Sequence, residues 1–199
     1  PVMMSCGLVG VLIGSFVTTG VGHKLSSGLI ELAGGFLFLL VLYSGVASYI
    51  LGMGVPSIPL YMMVVTLVAP ALTGFGVPIL SAHFFVFYWA MISFITPPVA
   101  LAAYTAAALA DSDPFRTGLH SMKLGCVAII VPFAFIYDDA LLLQGSLGQI
   151  AISVTSASIG TLLVACAVEG YLQTRLNWLQ RILLMVAGGL LFLRLWWFD

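Results

Sequence analysis

Gly52-Met53-Gly54-Val55-Pro56-Ser57 and Ile95-Thr96-Pro97-Pro98-Val99-Ala100 are two helix-breaking clusters, each set in the middle of a long apolar run. In hydrocarbon an unpaired amide or carbonyl costs several kcal/mol. Irregular backbone at membrane depth therefore persists only where protein buries it or where it lines a polar cavity. Two such breaks in one chain predict one shared site.

Composition fixes the setting of these breaks. The 199 residues are 62% hydrophobic and 7% charged, against roughly 25% charged in soluble domains, and mean hydropathy is +1.19. There is too little polar surface to cover a water-soluble globule, so an all-α integral membrane protein is expected. No alternating apolar and polar segments support a membrane barrel. A formal net charge of -1 leaves no basic patch for a nucleic-acid partner. Cys6, Cys126 and Cys166 stand singly in apolar runs and read as buried fillers. The chain enters an apolar span directly after Pro1, with no signal-peptide n-region, and reads as part of a longer polytopic protein.

Outward from the first break, 36–51 and 58–72 are apolar arms of about 15 residues each, long enough to reach the bilayer middle but short for full spans. A re-entrant hairpin over 36–72 fits, with Pro59 in the first turn of its second arm. Two short spans joined by a tight turn fit as well. Around the second break a helix runs from Ile79, opens at Thr96-Pro97-Pro98 and resumes to Ala110. Tandem prolines remove two backbone donors and push the preceding residue out of helical geometry, so carbonyls near Phe94, Ile95 and Thr96 are expected to lose their partners.

The remaining segments supply spans and connections. Val2 to Thr19 is a first span, followed by a loop at Gly20-Val21-Gly22-His23-Lys24. Over 28–35, Ser27 caps either a short interfacial helix or an extension of the next one. Loops are expected at Ala69-Pro70, at 74–78 and at Asp111 to Arg116. Further spans run to Tyr137, from about Gly148 to Glu169, and from Ile182 to Trp197, with Trp178, Trp196 and Trp197 as interfacial aromatics. Asp138-Asp139 reads as a solvated loop end. Arg116, Lys123, Arg175 and Arg181, four of the six Lys and Arg, share one face, which the positive-inside rule makes cytoplasmic. Lys24, Asp138 and Asp139 take the other. Glu31 and Glu169 reach the headgroups, His83 packs or sits at the interface, and Arg194 snorkels.

A hairpin tip facing a broken helix suits a small ion. C-terminal half-helix ends and freed carbonyls coordinate a cation, while N-terminal ends attract anionic groups. The carbonyls before Gly52 and before Thr96 are the candidates for Na⁺, with the Ser57 and Thr96 hydroxyls as side-chain ligands. No catalytic triad, His-x-x-x-His or phosphate loop is present, so neither catalytic residues, a cofactor nor a metal other than Na⁺ is assigned. The alternative is a membrane-embedded enzyme acting on lipid or isoprenoid substrates, with His83, His120, Asp111 and Asp113 as its working side chains.

Leu51 to Ser57, Val68-Ala69-Pro70-Ala71-Leu72, Ala82 to Tyr88, Ile95 to Tyr104 and Ile130-Val131-Pro132-Phe133 together resemble the fused permease subunit of tripartite ATP-independent periplasmic (TRAP) transporters, nearest to the type served by TAXI substrate-binding proteins. The resemblance implies an ion-transporter-type fold with inverted repeats. Residues 1–143 would be the second repeat, with hairpin 36–72 and broken helix 79–110, and 144–199 a transmembrane helical tail. It implies a secondary transporter of the bacterial or archaeal inner membrane, importing a small organic acid with Na⁺ by an elevator movement. Its partners would be a periplasmic TAXI-type binding protein, the first repeat, a small-subunit-like domain and the lipid bilayer. Gly52, Met53, Gly54, Ser57, Ile95, Thr96 and Ala100 would surround Na⁺, and Pro56, Ser57, Thr96, Pro97 and Pro98 would face the substrate. Two departures stand out: Ser57-Ile58-Pro59 replaces the usual polar pair after the hairpin proline, and Tyr137-Asp138-Asp139 replaces a Tyr-Asn-Pro-like run.

Overall fold

Helix starts and stops follow the glycines and prolines. The computed structural model describes residues 2–172 and 174–193. Helix α1 (Val2–Thr19) stops at Gly20, which takes a left-handed φ of 69°, and α2 (Val21–Ala33) begins at once. The expected loop at 20–24 thus shrinks to Gly20, because Lys24 N–H already bonds the Gly20 carbonyl at 3.0 Å. Ser27 is no cap either: it sits inside α2 and donates to the His23 carbonyl. Helix α2 is amphipathic, burying Ser26, Leu29 and Ala33 and exposing Lys24 and Glu31.

Helix α3 (Leu37–Gly52) ends in the tip 53–56, where Gly54 has φ 78°. The chain returns as α4 (Ser57–Leu67) and α5 (Ala69–Gly74). The expected loop at Ala69-Pro70 is helical. Pro70 falls in the first turn of α5, where a missing N–H costs no intrahelical bond, so it does not end the segment. Taken together, Ser57–Gly74 is an 18-residue apolar segment long enough to cross a membrane, so this arm outgrows the expected length. Ser26 of α2 ties it down by donating to the Leu67 carbonyl at 3.0 Å.

Helix α6 (Ile79–Ile92) is the hub, touching α3, α4, α5 and α9 (Cys126–Tyr137). Phe85, Leu40, Leu60, Val64, Leu67 and Leu72 are fully buried around it. Against α9 it makes an aromatic seam, with Phe85 and Trp89 at 5.7 and 5.8 Å from Phe133, edge to face. Against α3 the approach is close enough that a Cβ on Gly45 would lie 2.8 Å from the Trp89 indole.

Beyond the second break come α7 (Leu101–Leu109) and α8 (Pro114–Leu124). The expected loop at 111–116 ends early. Asp113 caps α8 by accepting from Arg116 N–H at 2.7 Å, and Pro114 fills its first position. Helix α8 meets α9 at Gly125 with a bend of 41°. Asp138-Asp139 is not a solvated loop end. Asp139, which opens a 3-10 turn (Asp139–Leu142), accepts from the buried Ser81 hydroxyl at 2.7 Å, and Asp138 accepts from Ala140 N–H. The carboxylate at 139 therefore sits over the first turn of α6, where the helix dipole favours it.

The tail opens with a Ser146–Gln149 capping box on α10 (Leu147–Glu169). A short antiparallel pair, β1 (Tyr171–Leu172) and β2 (Thr174–Arg175), leads into α11 (Trp178–Leu193). Arg181 donates to the Ala167 and Val168 carbonyls and so closes the α10 C-terminus. Lys123 of α8 pairs with Glu169 at 3.0 Å, so Glu169 meets a cation rather than headgroups alone. Trp178 is exposed, and Cys126 and Cys166 are half-buried rather than buried. Arg194, Trp196, Trp197 and the Cys6 side chain lie outside the described residues.

Small residues set the α10–α11 contact, as membrane helix pairs require. A Cβ on Gly188 would lie 2.8 Å from Val164 and 2.9 Å from the Gly160 carbonyl, whereas Gly189 faces open space. Gly188→Ala is expected to destabilise the α10–α11 pair by about 1–3 kcal/mol through overpacking, while Gly189→Ala leaves it unchanged or slightly more stable. Thermal unfolding of the two variants in detergent, side by side, checks this.

Candidate functional site

The two breaks meet. The carbonyl of Gly52, the last residue of α3, has no helical donor because the residue four positions on is Pro56, which lacks an N–H. Ser93, at the C-terminal end of α6, donates its hydroxyl to that carbonyl at 2.9 Å. Gly52 must be glycine for this contact, since a Cβ there would lie 2.6 Å from the Ala90 carbonyl. One turn earlier on α3, the Tyr49 hydroxyl donates to the Pro97 carbonyl at 3.0 Å. The last turn of α3 and the opened end of α6 thus form one hydrogen-bonded layer.

Inside the break the backbone is partly self-satisfied. Phe94 O accepts from Ala102 N–H at 3.0 Å and Thr96 O from Ala100 N–H at 3.2 Å, so two of the three carbonyls expected to be free are not. The carbonyls of Ser93 and Ile95 accept no backbone N–H among the described residues. For Ser93 the cause is the proline at position 97, four residues on. The Pro97–Pro98 bond is cis, and Ala100 holds a φ of 36° before α7 begins. From the far side α8 leans on the break, with Gly118 against Pro97 and Tyr104 and Gly125 against Ile95.

The predicted residues divide. Gly52 and Ala100 are buried, Met53, Ile95, Thr96 and Pro97 are half-buried, and Gly54, Pro56, Ser57 and Pro98 are exposed. The Thr96 hydroxyl is turned back to the Ile92 carbonyl at 2.9 Å. Ser57 instead lines a cavity of about 800 Å³ with Tyr61, His83, Phe84, Phe87 and Gln144, whose wall includes none of Thr96, Pro97 and Pro98. There the Tyr61 hydroxyl and His83 Nδ1 are 3.0 Å apart, which accounts for His83 as a packed, hydrogen-bonded residue. The geometry therefore brings Gly52 to the proline break and leaves Ser57 on a separate wall.

Ser93 and Tyr49 were missed by sequence reasoning. The signal for Ser93 was available: Gly52 and Ser93 are each followed four residues later by proline, so both carbonyls need a donor from elsewhere. Nothing in the local sequence marks Tyr49, whose partner is 48 residues away. Three buried side-chain atoms, Ser44 Oγ on α3, Trp89 Nε1 on α6 and Asp138 Oδ2, have no hydrogen-bond partner among the described residues.

A family model described as "Tripartite ATP-independent periplasmic transporter, DctM component" matches residues 1–150. The chain belongs to this family. It is thus a TRAP transporter permease of the large, DctM type, a membrane protein whose family works with a periplasmic binding protein. Neither the curated proteins nor the solved structures include a match to this chain. The DctM match takes in both breaks, α8, α9 and the 3-10 turn, and ends in the first turn of α10.

Two substitutions separate fit from strain at this layer. Tyr49→Phe loses one hydrogen bond and is expected to destabilise the DctM chain by about 0.5–1.5 kcal/mol. Ala100→Gly relieves a left-handed backbone that costs an L-residue about 1–2 kcal/mol, and should raise the melting temperature. Both are read by thermal unfolding in detergent, where a lowered melting point for Ala100→Gly would contradict the strain argument.

Proposed function

We propose that this DctM chain supplies one ion site of a Na⁺-coupled importer of small organic acids, delivered by a TAXI-type periplasmic binding protein and moved by an elevator mechanism. The observation carrying this reading is the meeting of two helix C-termini, α3 at Gly52 and α6 at Ser93, with carbonyls of Gly52, Ser93 and Ile95 released from helical bonding. C-terminal helix ends carry partial negative charge, and unwound carbonyls are the oxygen donors that a desolvated Na⁺ needs. The N-termini of α4 at Ser57 and of α7 at Leu101 present the opposite polarity, suited to a carboxylate.

In this reading residues 1–143 are the second of two inverted repeats and 144–199 a peripheral helical tail. The first repeat and a small-subunit-like domain complete the permease in a bacterial or archaeal inner membrane. Gly52, Met53, Gly54, Ile95, Thr96 and Ala100 surround the ion, and Ser57, which lines a separate wall here, joins them as Na⁺ binds. Pro56, Ser57, Thr96, Pro97 and Pro98 face the substrate. Thr96 turns its hydroxyl from the Ile92 carbonyl to the ion when Na⁺ arrives. The rival enzyme reading has less to stand on: His83 is engaged with Tyr61, Asp113 caps α8, and the family is one of permeases.

Replacing Ser57 and Thr96 together by Ala in the full-length permease should raise the Na⁺ concentration for half-maximal uptake at least tenfold, about 1.4 kcal/mol. Uptake into proteoliposomes under an imposed Na⁺ gradient measures it, and unaltered Na⁺ activation in the double variant would sink the assignment.

A further inference from the structure

We propose that the Ser93 hydroxyl competes with the coupling cation for the Gly52 carbonyl, which makes Ser93 a positioning residue that stabilises the ion-free permease. The inference rests on the Na⁺ reading given above and concerns the Ser93 side chain, of which that reading uses only the backbone carbonyl.

The argument is one of counting donors. Gly52 is buried, so water does not serve its carbonyl, and Pro56 removes the donor that a continuing helix would supply. What remains is the Ser93 hydroxyl at 2.9 Å. Ser93 is only 1% exposed, and its hydroxyl lies 2.7 Å from a second acceptor, the Ala90 carbonyl. It has one hydrogen for two acceptors. The acceptors are unequal in need: Ala90 O already accepts from Ser93 N–H at 3.2 Å, while Gly52 O accepts from no backbone donor among the described residues.

Two arrangements of the same atoms follow. Without a cation the hydroxyl points at Gly52 O, so that carbonyl is paired while Ala90 O keeps its bond from Ser93 N–H. With a cation on Gly52 O, the hydroxyl rotates about its C–O bond to Ala90 O and stays paired, so the exchange asks for no rearrangement of the helices. The lack of room for a Cβ at Gly52, 2.6 Å from the Ala90 carbonyl, keeps the α3 end within reach of both states. A buried acceptor deprived of its donor is costly, so removing the hydroxyl penalises the ion-free state and spares the ion-bound one.

The test is Ser93→Ala in the full-length permease, reconstituted for uptake and purified in detergent for thermal unfolding across a NaCl series. Half-saturating Na⁺ should fall about tenfold, and the melting temperature should drop without Na⁺ but return close to wild type at saturating Na⁺. Ser93→Cys, which retains a weak donor, should shift both readouts in the same direction by less, and it supplies the measurement if the alanine variant does not fold. A rise in half-saturating Na⁺ would make Ser93 a ligand and overturn the proposal. An unchanged half-saturation with a lower melting point at every Na⁺ concentration would make it merely structural, and overturns it too. A wild-type permease that responds to Na⁺ in neither assay removes the coupling reading and this inference with it, an outcome distinct from a responsive wild type whose variants do not shift.

Discussion

The hydrogen bond from Ser93 to the Gly52 carbonyl is the contact on which the rest of the arrangement depends. Prolines at 56, 97 and 98 remove donors in a part of the chain where water is scarce, and each carbonyl so released must find a partner or stay open for a ligand. The chain answers each case differently. Gly52 O is met by a side chain from another helix, Phe94 O by the Ala102 amide across the break, and Ser93 O by no backbone N–H among the described residues, while the carbonyls of the prolines themselves are met by the Tyr49 hydroxyl at Pro97 and the Tyr104 hydroxyl at Pro98. The fold around the break is thus a solution to a donor deficit, and its long-range bonds fix α3 relative to α6.

Helix α6 carries that constraint through the molecule. Its C-terminal end is held by Gly52 and its middle by the aromatic seam with Phe133 and Phe135 of α9. Its first turn is held by the Asp139 carboxylate through Ser81. Glycine allows the close approaches where they are needed, at Gly45 under the Trp89 indole and at Gly52 under the Ala90 carbonyl. The cavity edged by Ser57, Tyr61 and His83 lies beside the first half of the same helix, so both features that distinguish this chain's interior are positioned by one rod.

Much of the architecture was legible because punctuation in an apolar chain is strong. The first span, the tip after Gly52, the break at Thr96-Pro97-Pro98 and the span ending at Glu169 fall where glycine, proline and hydropathy place them. What was illegible depended on tertiary pairing or on short-range competition. Ala69-Pro70 reads as a loop, yet proline in a first turn is compatible with helix. Ser27 reads as a cap, yet its hydroxyl is satisfied by the preceding turn. Asp138-Asp139 reads as solvated because nothing in the sequence announces that Ser81, 58 residues away, lies beside it. At the candidate site the sequence located the breaks and named Gly52 and Thr96. It did not find the hydroxyl that links the two breaks, since Ser93 sits on an apolar helix where serine ordinarily bonds its own backbone.

The same accounting narrows what an ion at this layer can use. The rule that a proline frees the carbonyl four residues earlier selects Gly52, Ser93 and Phe94, not the Phe94, Ile95 and Thr96 set suggested by proximity to the break. Phe94 is then withdrawn by Ala102, and Thr96 by Ala100. Ile95 O remains open for a different reason: Val99, four residues on, has an N–H but makes no backbone bond to it. Among the described residues, the oxygens left are two that no backbone N–H occupies, on Ser93 and Ile95, and one at Gly52 whose partner is a hydroxyl with another acceptor within reach. On the proposed reading, a cation entering this layer would displace a single, rotatable hydrogen and break no helix.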